Sequence, residues 1–314
     1  MNTFCTIITA DHLPFAKVLQ ESLQKNVPGT LLQVLVIDNN NLPSSQNLVI
    51  HTIETVLTSP VARGIYNKYA HTNPDHFRWA LKPVFISYLL QNGFDKVIFA
   101  DPDIYFVNNF SFLFDELDTN NILLTPHWAN LNPLKNESSL IDVMRGGLYN
   151  AGFIGANKKG MEAINWWAES CHYKTEKNQE LGLFDDQKYL DILPVQFPDV
   201  KIIKHPGCDL ASWNVATSKR EILNGKLVIN RQYEPVFIHF AKETIVNILN
   251  RNDQLLYPHL EEYIQQLKKE GFDLPANYKD LDFSKYHSPF FKLKHRLRLR
   301  TRFKRFLFKL AEKL

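Results

Sequence analysis

Residues 96–106, KVIFADPDIYF, constrain this chain more than any other stretch. Val97, Ile98, Phe99 and Ala100 form a short apolar run of β-branched and aromatic residues, bounded upstream by Gly93. A run of that length and type predicts a buried strand, of the kind parallel sheets use, with a helix before it. Asp101 and Asp103 follow where the strand should end, and Pro102 between them fixes φ and removes a ladder donor. Two carboxylates one residue apart at a strand's carboxyl edge make a hard-oxygen site for a divalent ion that leaves positions open for phosphate oxygens.

The chain before this run predicts the sheet around it. Residues 3–9 (TFCTIIT) read as a strand and residues 14–26 as an amphipathic helix with Ala16, Leu19 and Leu23 on one face. Residues 31–37 (LLQVLVI) read as a second buried strand ended by Asp38, and residues 48–57 as a third. Strand, helix, strand from the first residues predicts an α/β fold, a mainly parallel central sheet flanked by helices. In such sheets ligands sit beyond the carboxyl ends of the strands, here at Thr9, Ala10, Asp11 and Asp38. There is no Gly-rich dinucleotide fingerprint and no P-loop, which excludes the usual NAD or ATP phosphate cradle.

Pro74 suits a first helical turn and Pro83 starts a second segment, so residues 73–91 predict a helix in two pieces with Lys82 at the break. By itself Lys82 reads as a solvated lysine. After the acidic strand, residues 122–125 and 148–156 (LYNAGFIGA) read as strands. Glycine inside a strand pattern marks close approach of backbone or ligand, and Asn150 is a polar residue in apolar company that satisfies a turn or faces a ligand hydroxyl. Residues 161–171 form a helix whose Trp166–Trp167 pair reads as packing. Asp185, Asp186 and Gln187 open a further helix at residues 188–193, where acidic residues suit capping. Strands at residues 200–203, 226–229 and 236–240 follow, the last placing His239 near its end and Lys242 just beyond.

The length of 314 residues allows one large domain with an appendage. We divide it into a main domain at residues 1–250, a helical extension at 251–291 and a basic tail at 292–314. Three widely spaced cysteines point to a reducing compartment and to no structural zinc site. The first residues carry no basic or long apolar segment of a signal peptide, and no stretch approaches the ~20 apolar residues of a membrane span. The net charge of +3 hides an asymmetry: residues 292–314 carry ten Lys/Arg and one acid, +9, which leaves −6 on the rest. In that tail Leu299, Phe303, Phe306, Leu307, Leu310 and Leu314 form a helical stripe with the basic residues largely off it. A basic amphipathic helix with aromatic anchors suits an anionic membrane surface. The acidic body and the lack of a recognition motif argue against nucleic acid.

The motifs ALKP (80–83), FADPDIYF (99–106), LYNAGFIGA (148–156), FDDQKYLDILP (184–194), DLASWN (209–214) and FIHFAK (237–242) stand in one order. Together they resemble nucleotide-sugar glycosyltransferases of the GT-A fold, in particular the family 8 bacterial lipopolysaccharide sugar transferases, over residues 3–242. The resemblance implies that Asp101, Asp103 and His239 hold Mn²⁺, or Mg²⁺, against a donor diphosphate. It implies that Lys242 contacts that diphosphate, although the family's His-x-x-Gly-x-x-Lys spacing is absent here. Thr9, Ala10 and Asp11 would meet the nucleotide, and Lys82 would be the basic group near the donor. Asn150, Asp186 and Gln187 would face the transferred sugar as the catalytic set. The implied activity is transfer of a hexose-type sugar from a UDP-sugar to a glycan or glycolipid acceptor, as in lipopolysaccharide biosynthesis, with retention of configuration. Asp185 or Asp186 as a base in an inverting reaction stays open. The implied location is cytoplasmic, at the inner face of the membrane. Two other readings of the same residues are a nucleotidyltransferase acting on sugar phosphates and a non-catalytic sugar-nucleotide or glycan-binding protein.

Overall fold

The computed structural model describes residues 1–39 and 41–275. The proposed helical extension at 251–291 falls partly, and the basic tail wholly, outside the described residues. In chain order β1 (Asn2–Ile8), α1 (Leu13–Asn26), β2 (Leu32–Val36), β3 (Leu48–Thr52), α2 (Ile53–Val56), α3 (Pro60–Tyr69), α4 (Pro74–Ala80), α5 (Lys82–Gln91), β4 (Lys96–Ala100) and β5 (Ile104–Phe106) form the first half. Then come α6 (Ser111–Thr119), β6 (Ile122–Pro126), α7 (Glu137–Gly146), β7 (Tyr149–Asn157), α8 (Met161–Tyr173), a hairpin of β8 (Lys177–Asn178) and β9 (Leu183–Phe184), α9 (Leu193–Gln196) and β10 (Val200–Ile202). A second hairpin, β11 (Arg220–Leu223) and β12 (Lys226–Ile229), precedes β13 (Phe237–His239), α10 (Lys242–Leu249) and α11 (Tyr257–Lys269).

Seven strands make the central sheet in the order β10-β6-β7-β4-β1-β2-β3. β4, β1, β2 and β3 run parallel, β7 is antiparallel to both β4 and β6, and β10 is parallel to β6. The predicted α/β class with a mainly parallel sheet is therefore the observed one. Alternation along the strands builds the two cores: Val97 and Phe99 join Phe85, Leu89, Ile164 and Trp167 on one face, whereas Ile98 and Ala100 join Leu19, Leu23, Leu113 and Leu117 on the other. Both faces of β4 are covered, which is why its sequence reads as a continuous apolar run.

Two expected elements differ. Residues 48–57 are one strand only as far as Thr52; Ile53 and Val56 are both buried, at a helical spacing, and form α2. The helix expected at 188–193 is a 3₁₀ turn, Lys188–Asp191, followed by the short α9, which Pro194 starts. The two-piece helix is as expected. Asn73 caps α4 by accepting from the His76 amide at 3.0 Å, and α5 begins at Lys82 beside Pro83.

The turn after β4 positions the site. The Asp101 amide donates to Gly152 O at 2.8 Å, and the Ile104 amide closes the Asp101–Pro102–Asp103 turn on Asp101 O at 3.0 Å. The chain re-enters as β5, which pairs antiparallel with β13 in a register that sets His239 opposite Ile104. An aromatic cluster locks β13 in place, with Phe153 stacked on Phe237 at 4.5 Å and Phe106 tilted against Phe237 at 5.3 Å. Such pairs contribute about 0.5–1.5 kcal/mol each beyond burial, enough to fix a three-residue strand that its own ladder would hold weakly.

Candidate active site

Strand register brings Asp103 and His239 together: the Phe240 amide donates to Asp103 O at 2.9 Å, and His239 Nε2 lies 3.1 Å from Asp103 Oδ1. Asp101, Asp103 and His239 each offer a ligand atom, and these atoms all lie within 4.8 Å of one another. Gly152, next to them on β7, keeps the space open. A Cβ there would come 2.6 Å from His239 Cε1 and 2.7 Å from Asp101 Oδ2. Two carboxylates and an imidazole around a cradle that only glycine leaves free fit a divalent cation such as Mn²⁺ or Mg²⁺.

The charge balance fits too. Asp101, Asp103, Asp186 and Asp209 lie against Lys82 and His239, and with Arg78 close enough to act on Lys82 and Asp103 the formal balance is −1 when all are ionised. Lys82 is 4% exposed, not solvated, and its ammonium lies 3.3 Å from Asp101 and 3.4 Å from Asp186 while donating to Ala151 O at 3.1 Å. Its place at the first residue of α5 is unfavourable for a cation, so the two carboxylates and that carbonyl must hold it there. Burial alone would lower the Lys82 pKa, but Asp101 and Asp186 outweigh it and raise it.

Asp186 does not cap a helix. It is 3% exposed, and burial, aided by the nearby charges of Asp101 and Asp185, pushes its pKa up to about 6 against the pull of Lys82. Its backbone carbonyl accepts from Trp167 Nε1 at 2.8 Å, so the buried indole positions it. Asp185, at φ +49, points elsewhere and pairs with Lys177 at 3.3 Å. The Gln187 amide spans two backbone groups, accepting from the Ala151 amide at 3.2 Å and donating to Gly146 O at 2.8 Å. It ties the start of β7 to the end of α7.

Asn150 neither ends a turn nor stands free. Its Oδ1 accepts from the Gly152 amide at 2.7 Å and its Nδ2 donates to Asp209 at 3.0 and 3.2 Å. Asp209 is a site residue that the sequence reading passed over. It is fully buried, at φ +60, and its Oδ1 is 3.3 Å from His239 Nδ1. The segment carrying it runs beside β13: the Leu210 amide donates to Phe237 O at 3.1 Å and the His239 amide to Leu210 O at 3.0 Å. Asn214 Nδ2 closes the turn on Asp209 O at 2.6 Å, and Arg220 donates to Ala211 O at 2.9 Å. With Asp209 accepting from Nδ1–H, the ring nitrogen left facing Asp103 and the cradle is Nε2. Burial would lower the His239 pKa, yet Asp103 and Asp209 raise it well above the usual histidine range.

Thr9, Ala10 and Asp11 lie past the end of β1, the strand beside β4. The Ala10 amide donates to Asp38 Oδ1 at 2.8 Å, which joins the ends of β1 and β2. Asp11 is exposed, and hydrogen bonds from Thr9 and then His12 lower its pKa. Lys242 is exposed and opens α10 three residues after His239. The three cysteines are free and buried, and among the described residues no helix is long and apolar enough to cross a membrane.

No protein-family model matches the chain. Among curated proteins it is similar to the uncharacterised protein YfnF of Bacillus subtilis (strain 168), 25% identical over 292 residues, covering 86% of this chain and 96% of that one. It is also similar to the uncharacterised protein YfnD of the same organism, 26% identical over 251 residues, covering 77% and 78%. Among solved structures, mouse xyloside xylosyltransferase 1 in its apo form aligns at TM-score 0.47 and 13% identity, over 76% of this chain and 97% of that chain. The galactosyltransferase LgtC, solved with donor and acceptor sugar analogues, aligns at TM-score 0.48 and 14% identity, over 76% and 86%. At those levels of likeness the functional reading rests on the side chains of this chain.

Proposed function

We propose that the protein is a metal-dependent glycosyltransferase that moves a sugar from a nucleotide-sugar donor, a UDP-sugar in our reading, to a cell-surface glycan or glycolipid acceptor. One observation carries the reading: Asp101, Asp103 and His239 converge on a cradle that glycine keeps open, directly beside the buried Lys82–Asp186 pair. Asp101, Asp103 and His239 would hold Mn²⁺ or Mg²⁺, which supplies positive charge where a departing nucleoside diphosphate gathers negative charge. Lys82 adds a fixed, desolvated cation on the same side, worth more there than in water. Thr9, Ala10 and Asp11 bind the nucleotide at the end of β1, and Lys242 reaches the diphosphate from the start of α10. Asn150, Asp186 and Gln187 orient the sugar, Gln187 through its grip on the Ala151 amide. We read Asp186 as the carboxylate that faces an oxocarbenium-like transition state, and the outcome as retention of configuration.

The tail adds a location. With +9 in 23 residues beside apolar and aromatic side chains, it attaches the enzyme to the inner face of the cytoplasmic membrane.

The purified chain incubated with Mn²⁺ and a panel of nucleotide-sugars tests the function. A glycosyltransferase releases nucleoside diphosphate from a preferred donor. Pyrophosphate formation instead would make it a nucleotidyltransferase, and binding of a donor without turnover would make it a non-catalytic sugar-nucleotide protein.

A further inference from the structure

β6 runs parallel to β4, so its carboxyl end, Pro126, opens on the same edge of the sheet as Asp101. β7 separates the two strands, and the proposed nucleotide site at β1 and β2 lies on the other side of β4. The chain leaving β6 carries His127 and Trp128. A wall of rings then leads away from the metal cradle: Trp213 stands edge-on to His239 at 5.3 Å, and His127 edge-on to Trp213 at 5.9 Å. Thr217 Oγ1 donates to the Trp128 carbonyl, which ties this turn to the segment holding Trp213.

The indole N–H groups of this wall are unspent. Trp128 Nε1 and Trp213 Nε1 are closed off from solvent and have no hydrogen-bond partner among the described residues, whereas Trp167 Nε1 has Asp186 O at 2.8 Å; the His127 ring is engaged by the backbone of Leu148 and Gly147. Buried indole N–H groups ordinarily find a partner. Trp128 also sits at φ +55, a left-handed conformation that a bulky side chain adopts only at a cost. A strained turn with an orphaned indole donor, tied to a second segment that carries another, marks a place held ready for something that will pair them.

We propose that His127, Trp128 and Trp213 form the acceptor subsite and that the acceptor group bound there is a pyranose ring. This rests on the glycosyltransferase reading. A pyranose has an apolar C–H face to lie on an indole and a rim of hydroxyl oxygens to accept from ring N–H groups. A lipid chain offers no acceptor for those donors, and a lone serine or glycerol hydroxyl offers no face for the rings. Binding shifts the Trp128 turn enough to admit sugar oxygens to the indole nitrogens.

The test uses the full chain with UDP and Mn²⁺ present, titrated with methyl glycosides of glucose, galactose and N-acetylglucosamine. N-acetylserinamide and glycerol serve as non-sugar alcohols. Saturation-transfer NMR reads the added alcohol and calorimetry reads UDP. One or more glycosides should show saturable transfer from the protein. Trp128→Phe and Trp213→Phe keep a ring to stack on but lose the indole N–H, and should each weaken that binding by up to about tenfold, the scale of losing one hydrogen bond. UDP affinity should move less than about twofold in Trp128→Phe, which is not in contact with the cation's ligands, and UDP should still bind Trp213→Phe, which also reports that each variant is folded. Unchanged glycoside affinity in both variants overturns the subsite, as does a wild type that binds UDP but responds only to the non-sugar alcohols or to none of the probes. A wild type that binds no UDP with Mn²⁺ overturns the glycosyltransferase reading itself.

Discussion

Asp209 Oδ1 lies 3.3 Å from His239 Nδ1, and both groups are buried. The contact spans 30 residues of sequence and joins a turn at φ +60 to the end of β13. It fixes which ring nitrogen faces the two carboxylates of the turn after β4. Replacing Asp209 by Asn should therefore weaken Mn²⁺ binding by about 10–100-fold, the usual cost of losing a partner behind a metal-bound imidazole. Calorimetric titration of Mn²⁺ into the two proteins checks this. Equal affinities would reduce Asp209 to a support for Asn150.

Gly152→Ala tests the cradle without touching a ligand. The added methyl would meet His239, Asp101 and Asn150 at 2.6–2.9 Å. We expect a folded protein that loses about 10²-fold or more in activity, as displaced catalytic groups do. A variant that retained full Mn²⁺ affinity and turnover would place the cation elsewhere.

Asp186 sets a pH dependence of stability. Its pKa is about 6 in the folded chain against an ordinary value of 3.8, so between those values the native state binds more protons than the unfolded one. Stability from this group is thus greatest below about pH 4, falls as pH rises through 6, and is level above. Two units correspond to roughly 3 kcal/mol. Asp186→Asn should unfold at higher denaturant concentration than wild type at pH 7.5, with the gap closing towards pH 4, while transfer activity falls. A gap that is constant with pH would contradict the buried, burdened carboxylate.

Much of this arrangement is legible along the chain because it is local. The strand–turn–strand of residues 96–106 follows from four apolar residues and Pro102, and the break at Lys82 follows from Pro83. The burial of Lys82 is not legible, because it depends on Asp186, 104 positions away, and on β7 supplying a carbonyl. Asp186 reads as a cap for the same reason: an acid ahead of a helix looks alike whether or not a lysine waits across the sheet. Asp209 lay within DLASWN in full view, but its meaning depends on that segment running beside β13. An acid set between the apolar Cys208 and Leu210, five residues before Asn214, is the local signal available in the sequence.

The tail prediction rests on the charge and the apolar stripe of its sequence. Removing residues 292–314 should release the protein from anionic vesicles and leave transfer to a soluble acceptor intact, because the proposed site residues all precede residue 243. Binding by the full chain should weaken with salt, as the Debye length shrinks from about 10 Å at 0.1 M to about 3 Å at 1 M. Cosedimentation of the full-length and shortened proteins at two salt concentrations decides it, and equal binding would refute the tail as the anchor.

The central claim is that Asp101, Asp103 and His239 hold a divalent cation for a nucleoside diphosphate. Calorimetric titration of UDP into the full chain, with Mn²⁺ and then with a chelator, tests it most directly, alongside Asp103→Ala. The account predicts binding with Mn²⁺ that disappears with the chelator and in the variant. UDP binding of equal strength in all three conditions, or in none of them, would contradict it.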